Sequence, residues 1–270
     1  MAPFLSQYDD DKGIRKKTFG RKNKLTGGPM SRVLIGCSGF HYKEWKDVFY
    51  PAGLPQSKWF QFYCEHFDTL ELNTTFYKIP SVKSLQKWFH DSPEHFRFSL
   101  KVPGLITHYK RFSECEKYLE DFYSVCSEGL LYKLGCILFQ LHPQIKYSEE
   151  MLQFIISNLN PAYKNIIEFR DKSWWNQSVY KTLKRHKIVF SGISYPNLPD
   201  EIVKTQPVLY YRFHGVPVLY KSSYHNDFLE EKLSAIQNSS SSEAWIYFNN
   251  TWGTAAISNA GYLKNLLRKS

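Results

Sequence analysis

The chain has 270 residues, 43% of them hydrophobic, enough to bury one large core or two modest ones. No apolar run reaches membrane-spanning length, and the charged start MAPFLSQYDDDK lacks an apolar leader stretch; this predicts a soluble, cytoplasmic protein with no membrane partner. The net charge of +10 divides unevenly: residues 1–29 hold seven basic and three acidic side chains, a net +4, which leaves +6 on the rest.

Residues 1–29 carry few, scattered apolar residues after Phe4 and end in Thr-Gly-Gly-Pro, so they read as a disordered basic tail. The string YDDDKG resembles a protease-site tag, which would make Met30 the natural start; a basic arm for nucleic acid is the rival reading. Residues 30–270 form the predicted domain. Its five cysteines (Cys37, Cys64, Cys115, Cys126 and Cys136) are scattered, odd in number and without a CxxC pair. They read as small buried hydrophobes in a reducing compartment, not as a disulfide framework or a zinc ribbon.

Short runs of β formers follow from Met30 onward, at Val33–Cys37, Thr69–Asn73, Phe96–Val102, Gly135–Leu141, Asn165–Phe169, Ile188–Ile193, Val208–Phe213 and Ala244–Phe248. Helical spacing separates most of them. Ser57–Phe67 puts Trp59, Phe60, Tyr63 and Phe67 on one face; Val82, Leu85, Trp88 and Phe89 make a second stripe, and Tyr118, Leu119, Phe122 and Val125 a third. Met151–Leu159, Phe228–Ile236 and Ala255–Leu267 complete the series, while SYPNLPDEIV, with two prolines, leaves room for only a short helix. Eight strands alternating with helices predict an α/β fold, a single-domain TIM-type (β/α)8 barrel. An open doubly wound sheet would be expected to carry a Gly-rich first turn, and IGCSGF supplies only Gly36 and Gly39.

In such a barrel, inward side chains at the C-terminal strand ends build the active site. Strand alternation pairs Glu71 with Asn73, Ser99 with Lys101, Gln140 with His142, Glu168 with Arg170, Arg212 with His214, and Tyr247 with Asn249. Each pair alone reads as a buried ion pair or a loop contact. Together they would bury two carboxylates, three cations and two imidazoles at one end, which has no structural return. Lys101, Arg170 and Arg212 outnumber Glu71 and Glu168, which favours an anionic ligand over a metal. No cofactor is predicted; a divalent metal on Glu71, His142, Glu168 and His214 is the second choice. Aromatic residues after the strands, among them Tyr77 and Trp174, either wedge loops onto the rim or form a stacking wall for a flat ring or sugar face.

The stretches IGCSGFHYKEWKDVFYPAGL, ELNTTFYKIPS, FSLKVPGLITH, GCILFQLHP, EFRDKSWW, YYRFHG and YFNNTWGTAAISNA resemble, in order, those of the YecE-like proteins, a domain-of-unknown-function family. The match runs from Val33 to Leu267. The resemblance implies a TIM barrel in cytoplasmic, mostly bacterial proteins, and brings no established reaction. Where that family usually reads Gln-Phe-Pro-Pro, this chain has Gln140-Leu141-His142-Pro143, so Gln140 and not His142 is carried forward.

The resulting expectation is an enzyme acting on a small anionic, phosphorylated or sugar-like compound. His214 is the general acid/base, its ordinary pKa being near neutrality. Lys101, Arg170 and Arg212 hold the anion; Glu168 and Glu71 orient those cations or act as a second base; Asn73, Gln140 and Asn249 hydrogen-bond the substrate. The alternative is a pocket that binds a nucleotide or single-stranded nucleic acid without turnover.

Overall fold

The computed structural model describes residues 32–269, so the expected tail and the Met30 start lie outside the described residues. Eight strands are present: β1 (Arg32–Cys37), β2 (Thr69–Leu72), β3 (Arg97–Lys101), β4 (Leu134–Gln140), β5 (Asn165–Glu168), β6 (Val189–Ser194), β7 (Val208–Phe213) and β8 (Glu243–Phe248). All pair in parallel, and the order 1-8-7-6-5-4-3-2 runs around a TIM-type barrel. Seven helices surround it: α1 (Trp59–His66), α2 (Val82–Asp91), α3 (Glu116–Leu130), α4 (Glu149–Ser157), α5 (Gln177–Arg185), α6 (Asn226–Gln237) and α7 (Ala255–Lys269).

Strand alternation sorts the apolar residues into two cores. One set points out toward the helices, as Leu70, Phe98, Phe139, Phe190 and Ile246 do. The other fills the barrel, with Leu34, Leu138, Ile166, Val189, Tyr210, Trp245 and Tyr247. Each such fully buried side chain of Leu, Ile, Val or Phe size stabilises the fold by about 1.5–3 kcal/mol. Trp245 plugs the N-terminal end. It lies against Gly135, where a Cβ would sit 2.2 Å from the ring, and beneath Lys164, whose Nζ pairs with Glu243. Above it, the Tyr247 hydroxyl bonds Ser99 Oγ at 2.9 Å and Thr69 Oγ1 at 2.5 Å. The interior thus turns polar toward the C-terminal end.

One seam differs from the rest. β1 and β2 meet through a single bridge, Ser38 with Glu71. Between them stands the Tyr63 hydroxyl, from α1, which accepts from the Cys37 N–H at 2.8 Å and donates to the Thr69 carbonyl at 3.0 Å. A side chain thus supplies the link that a backbone ladder makes elsewhere. Gly36 permits the close approach, since a Cβ there would fall 2.1 Å from the Thr69 carbonyl oxygen.

Caps start three of the helices. Ser81, Ser148 and Asn176 accept from the N–H groups of Ser84, Met151 and Val179 respectively. The helix opened by Asn176, α5, lies outside the apolar stripes of the expected helices. The connection expected to hold a short helix, after β6, holds none. Its prolines interrupt the backbone donors, and Thr205 anchors the loop by bonding Ile188 O and Phe190 N. All five cysteines are buried and free, and burial raises their thiols above the ordinary range.

Candidate functional site at the C-terminal mouth

The inward residues near the ends of β2, β5 and β7 form one bonded network. Glu71 accepts from Ser38 Oγ at 2.5 Å, Tyr210 OH at 2.6 Å and Arg212 Nη2 at 2.6 Å. Glu168 accepts from Arg170 Nε at 2.6 Å on one oxygen, and from Arg212 Nη1 at 2.8 Å and His214 Nε2 at 3.1 Å on the other. Arg212 therefore ties the two carboxylates together. Glu71, Glu168, Arg212 and His214 have no exposed surface, so they make a floor and not a rim.

The electrostatics follow from that burial. Desolvation would raise the Glu168 carboxyl, but Arg170, Arg212 and His214 overcome it and hold the group well below the usual carboxylate range. Desolvation likewise opposes charge on Arg212, yet Glu168 and Glu71 keep it protonated. His214 goes the other way. Burial is the largest cause, opposed by Glu168 and reinforced by Arg170 and Arg212, and the imidazole is pushed down to about 3. It is a neutral ring whose partners select the tautomer: Nε2–H donates to Glu168, and Nδ1 accepts from the Asn249 amide at 3.0 Å. The expectation that His214 titrates near neutrality is corrected by this geometry, because a buried ring beside two guanidinium groups resists a proton.

Above the floor lie the buried Arg170 and the half-buried Lys101. Arg170 directs Nε and Nη2 to Glu168, with Nη2 also 3.5 Å from His214 Nε2, and lies with its guanidinium 4.4 Å over the Tyr195 ring, which leaves Nη1 without a hydrogen-bond partner among the described residues. Lys101 is the other residue with spare capacity. Its Nζ sits 4.2 Å over the Phe76 ring and makes no hydrogen bond or ion pair among the described residues. Burial, then repulsion from Arg212 with Arg170 adding, bring the Lys101 amine down to about 7, although Glu168 and Glu71 pull the other way. His108, on the π-turn Leu105–Tyr109, packs edge-on against the same Phe76 ring at 4.9 Å. Burial and then Lys101 lower His108 to about 4.

The remaining sequence-derived residues fall in several places. Gln140 ends β4 in register with Glu168, and Asn73 follows β2 in a recess of about 190 Å³ shared with Ser38 and Tyr42. Tyr77 is almost fully exposed, on a separate recess of about 290 Å³ lined by Phe76, Leu105 and Tyr109. Trp174 corrects the stacking-wall reading: it is wholly buried, stacked on Phe169 at 4.3 Å and donating Nε1 to the Ile145 carbonyl, so it wedges a loop and has no free face. His142 accepts from the Gln144 N–H and faces His108 at 5.4 Å. Among the described residues no group of three or more His, Cys, Asp or Glu side chains could hold a metal ion, and the four residues named as the metal alternative do not form one.

Sequence reasoning gave no role to Ser38, Tyr210, His108 or Tyr195. The signal for Tyr210 was alternation with Arg212, and that for Ser38 was alternation with Gly36. His108 closes the FSLKVPGLITH stretch, while Tyr195 sits in a loop that no periodicity marks.

Fold and site define a (β/α)8-barrel protein whose C-terminal mouth is floored by a buried carboxylate–guanidinium–imidazole network. More particularly, the chain belongs to the DUF72 family: the model for "Protein of unknown function DUF72" matches residues 34–270. It is 24% identical over 270 residues to the UPF0759 protein YunF of Bacillus subtilis, covering 87% of this chain and 94% of YunF. A shorter match, 31% over 80 residues, joins it to the UPF0759 protein YecE of Escherichia coli, covering 26% of this chain and 29% of YecE. A solved DUF72 family structure from Thermotoga maritima superposes with a TM-score of 0.78 at 27% identity, covering 88% of this chain and 99% of that one. The resemblance read from seven stretches of sequence and the barrel it implied are both borne out. No helix among the described residues is long and apolar enough to cross a membrane.

Proposed function

We propose that the protein is an enzyme acting on a small anionic substrate at the C-terminal mouth of its barrel, with the anion held by Arg170 and Lys101. One observation carries this reading. The floor and Arg170 above it are together neutral, with Glu71 and Glu168 matched by Arg212 and Arg170, and the ammonium form of Lys101 has no carboxylate of its own. An anion in the mouth supplies the missing counter-charge and finds Arg170 Nη1 as a charge-assisted donor. Asn73, Gln140 and Asn249 are the neutral side chains at the strand ends proposed to hydrogen-bond the substrate. In this reading Arg212 acts through the carboxylates it joins, not on the ligand, and Glu71 and Glu168 are the counter-ions that fix the guanidinium groups. Proton transfer falls to Lys101, whose amine is poised near neutrality.

A thermal-shift screen of matched compounds tests the reading: phosphate esters against their parent alcohols, and carboxylates against their amides. A ligand that binds only the native state stabilises it by about 2.7 kcal/mol at a hundredfold excess over Kd. The expected result is stabilisation by anionic members alone, lost in Lys101→Met. Equal shifts from neutral partners would sink it.

A further inference from the structure

We propose that Lys101 is a covalent catalyst that forms an imine with the carbonyl carbon of a small aldehyde or ketone bearing an acidic group, the acidic group being held at Arg170. The proposal rests on the anion reading above and names the substrate class more narrowly.

The geometry is that of a nucleophilic amine. Lys101 ends β3, on the inward face, where the barrel delivers side chains to the mouth. Other covered lysines of this fold have polar partners: Lys164 takes Glu243, Lys264 takes Asp68, and Lys133 takes the Phe89 and Ser92 carbonyls. Lys101 has none among the described residues: both carboxylates within its electrostatic reach are occupied by Arg212 and Arg170. Its Nζ rests 4.2 Å over the Phe76 ring, against which the neutral His108 packs edge-on, and the Arg212 and Arg170 guanidinium groups are close enough to repel it. Desolvation beside cationic neighbours is the arrangement that activates a lysine for attack on carbonyls. The consequence is large: at pH 7 an amine of pKa about 7 is half neutral, while an ordinary lysine is neutral about once in 2,500 molecules.

The step balances without a further reagent. The neutral Nζ lone pair attacks the carbonyl carbon, forming the C–N bond as the carbonyl π pair moves to oxygen. A proton passes from nitrogen to that oxygen, giving a carbinolamine. The proton that the Lys101 ammonium gave up to solvent on becoming the neutral amine returns, and lets the hydroxyl leave as water while the nitrogen pair forms the C=N bond. Counted from the ammonium, no net proton is consumed, one water is released, and the iminium carries the single positive charge.

The test uses the full chain at pH 7 with pyruvate, glyoxylate and dihydroxyacetone phosphate as probes, each with and without sodium cyanoborohydride. Peptide mass mapping locates reduced adducts, and thermal shift without reductant reports binding. The expected result is an adduct on Lys101 about tenfold or more above any other lysine, as its neutral fraction requires. Lys101→Arg keeps the cation, so it should retain the thermal shift and melting temperature while losing the adduct; Lys101→Met should lose both the shift and the adduct. A shift with adducts spread evenly over the lysines removes the imine and leaves the anion reading standing. Neither shift nor adduct with any probe removes both.

Discussion

Arg212 Nη2 donates to Glu71 Oε1 across 2.6 Å at the centre of the barrel, and neither side chain has any exposed surface. The partners come from β7 and β2, three strands apart around the barrel wall, and the other arm of the same guanidinium reaches Glu168. An ion bridge in this position is held by what surrounds it, because a carboxylate stripped of water and of its cation is strongly destabilised.

Arg212→Met leaves two buried carboxylates short of a donor, and its expected cost is about 3–5 kcal/mol. Urea unfolding of the variant measures it. A loss below about 1 kcal/mol would show that the bridge is dispensable and that Arg212 is free for a ligand.

Lys101 responds with the opposite sign. Its folded pKa, about 7, lies below the ordinary lysine value, so holding the ammonium form costs stability fully below pH 7, and the cost fades as pH rises toward about 10.4. Lys101→Met should therefore melt higher than the parent at pH 6, with the advantage shrinking by pH 9. Differential scanning calorimetry at the two pH values decides it, and a variant that melts lower at pH 6 contradicts the assignment.

His214 sets the acid limit. Its folded pKa is depressed, so between about 6.5 and 3 the unfolded chain binds a proton that the folded chain refuses. Stability from this group is present above pH 6.5 and falls by about 1.5–2 kcal/mol between pH 6.5 and 5. Glu168, also depressed, adds its own loss only below the ordinary carboxylate range near pH 4.3. His214→Asn should flatten the upper part of the acid profile and leave the lower part; an unchanged slope between pH 6.5 and 5 assigns that proton elsewhere.

The seam gives a test that does not involve the mouth. Tyr63→Phe strips the partner from the Cys37 N–H and the Thr69 carbonyl, at an expected cost of about 1–3 kcal/mol. Hydrogen exchange should speed at the Cys37 amide and hold at β4 and β5. Uniform acceleration across all strands would mean that the seam does not open by itself.

The eight strands and most of the helices were legible in the chain because local pattern carries them. A short continuous run of β formers such as Val208–Phe213 marks a strand covered on both faces, and the stripe Val82, Leu85, Trp88, Phe89 marks the inner face of a helix. Alternation even told which polar residues would share the mouth: Glu71, Glu168, Arg212 and His214 do converge. Position in the strand does not tell depth. Only the closed barrel decided that Arg212 is the buried tie between two carboxylates, that His214 is a neutral ring beneath the mouth, and that Lys101 is left without a counter-charge. Those outcomes depend on distances between strands up to about 140 residues apart, as Glu71 and Arg212 are, and on water excluded by their neighbours. Trp174 is the same lesson at the rim: its residue type allowed stacking on a ligand, and packing against Phe169 consumed the face. Sequence carries the periodicity that builds each element; charge state and access belong to the assembled interior, where desolvation is set by all eight strands together.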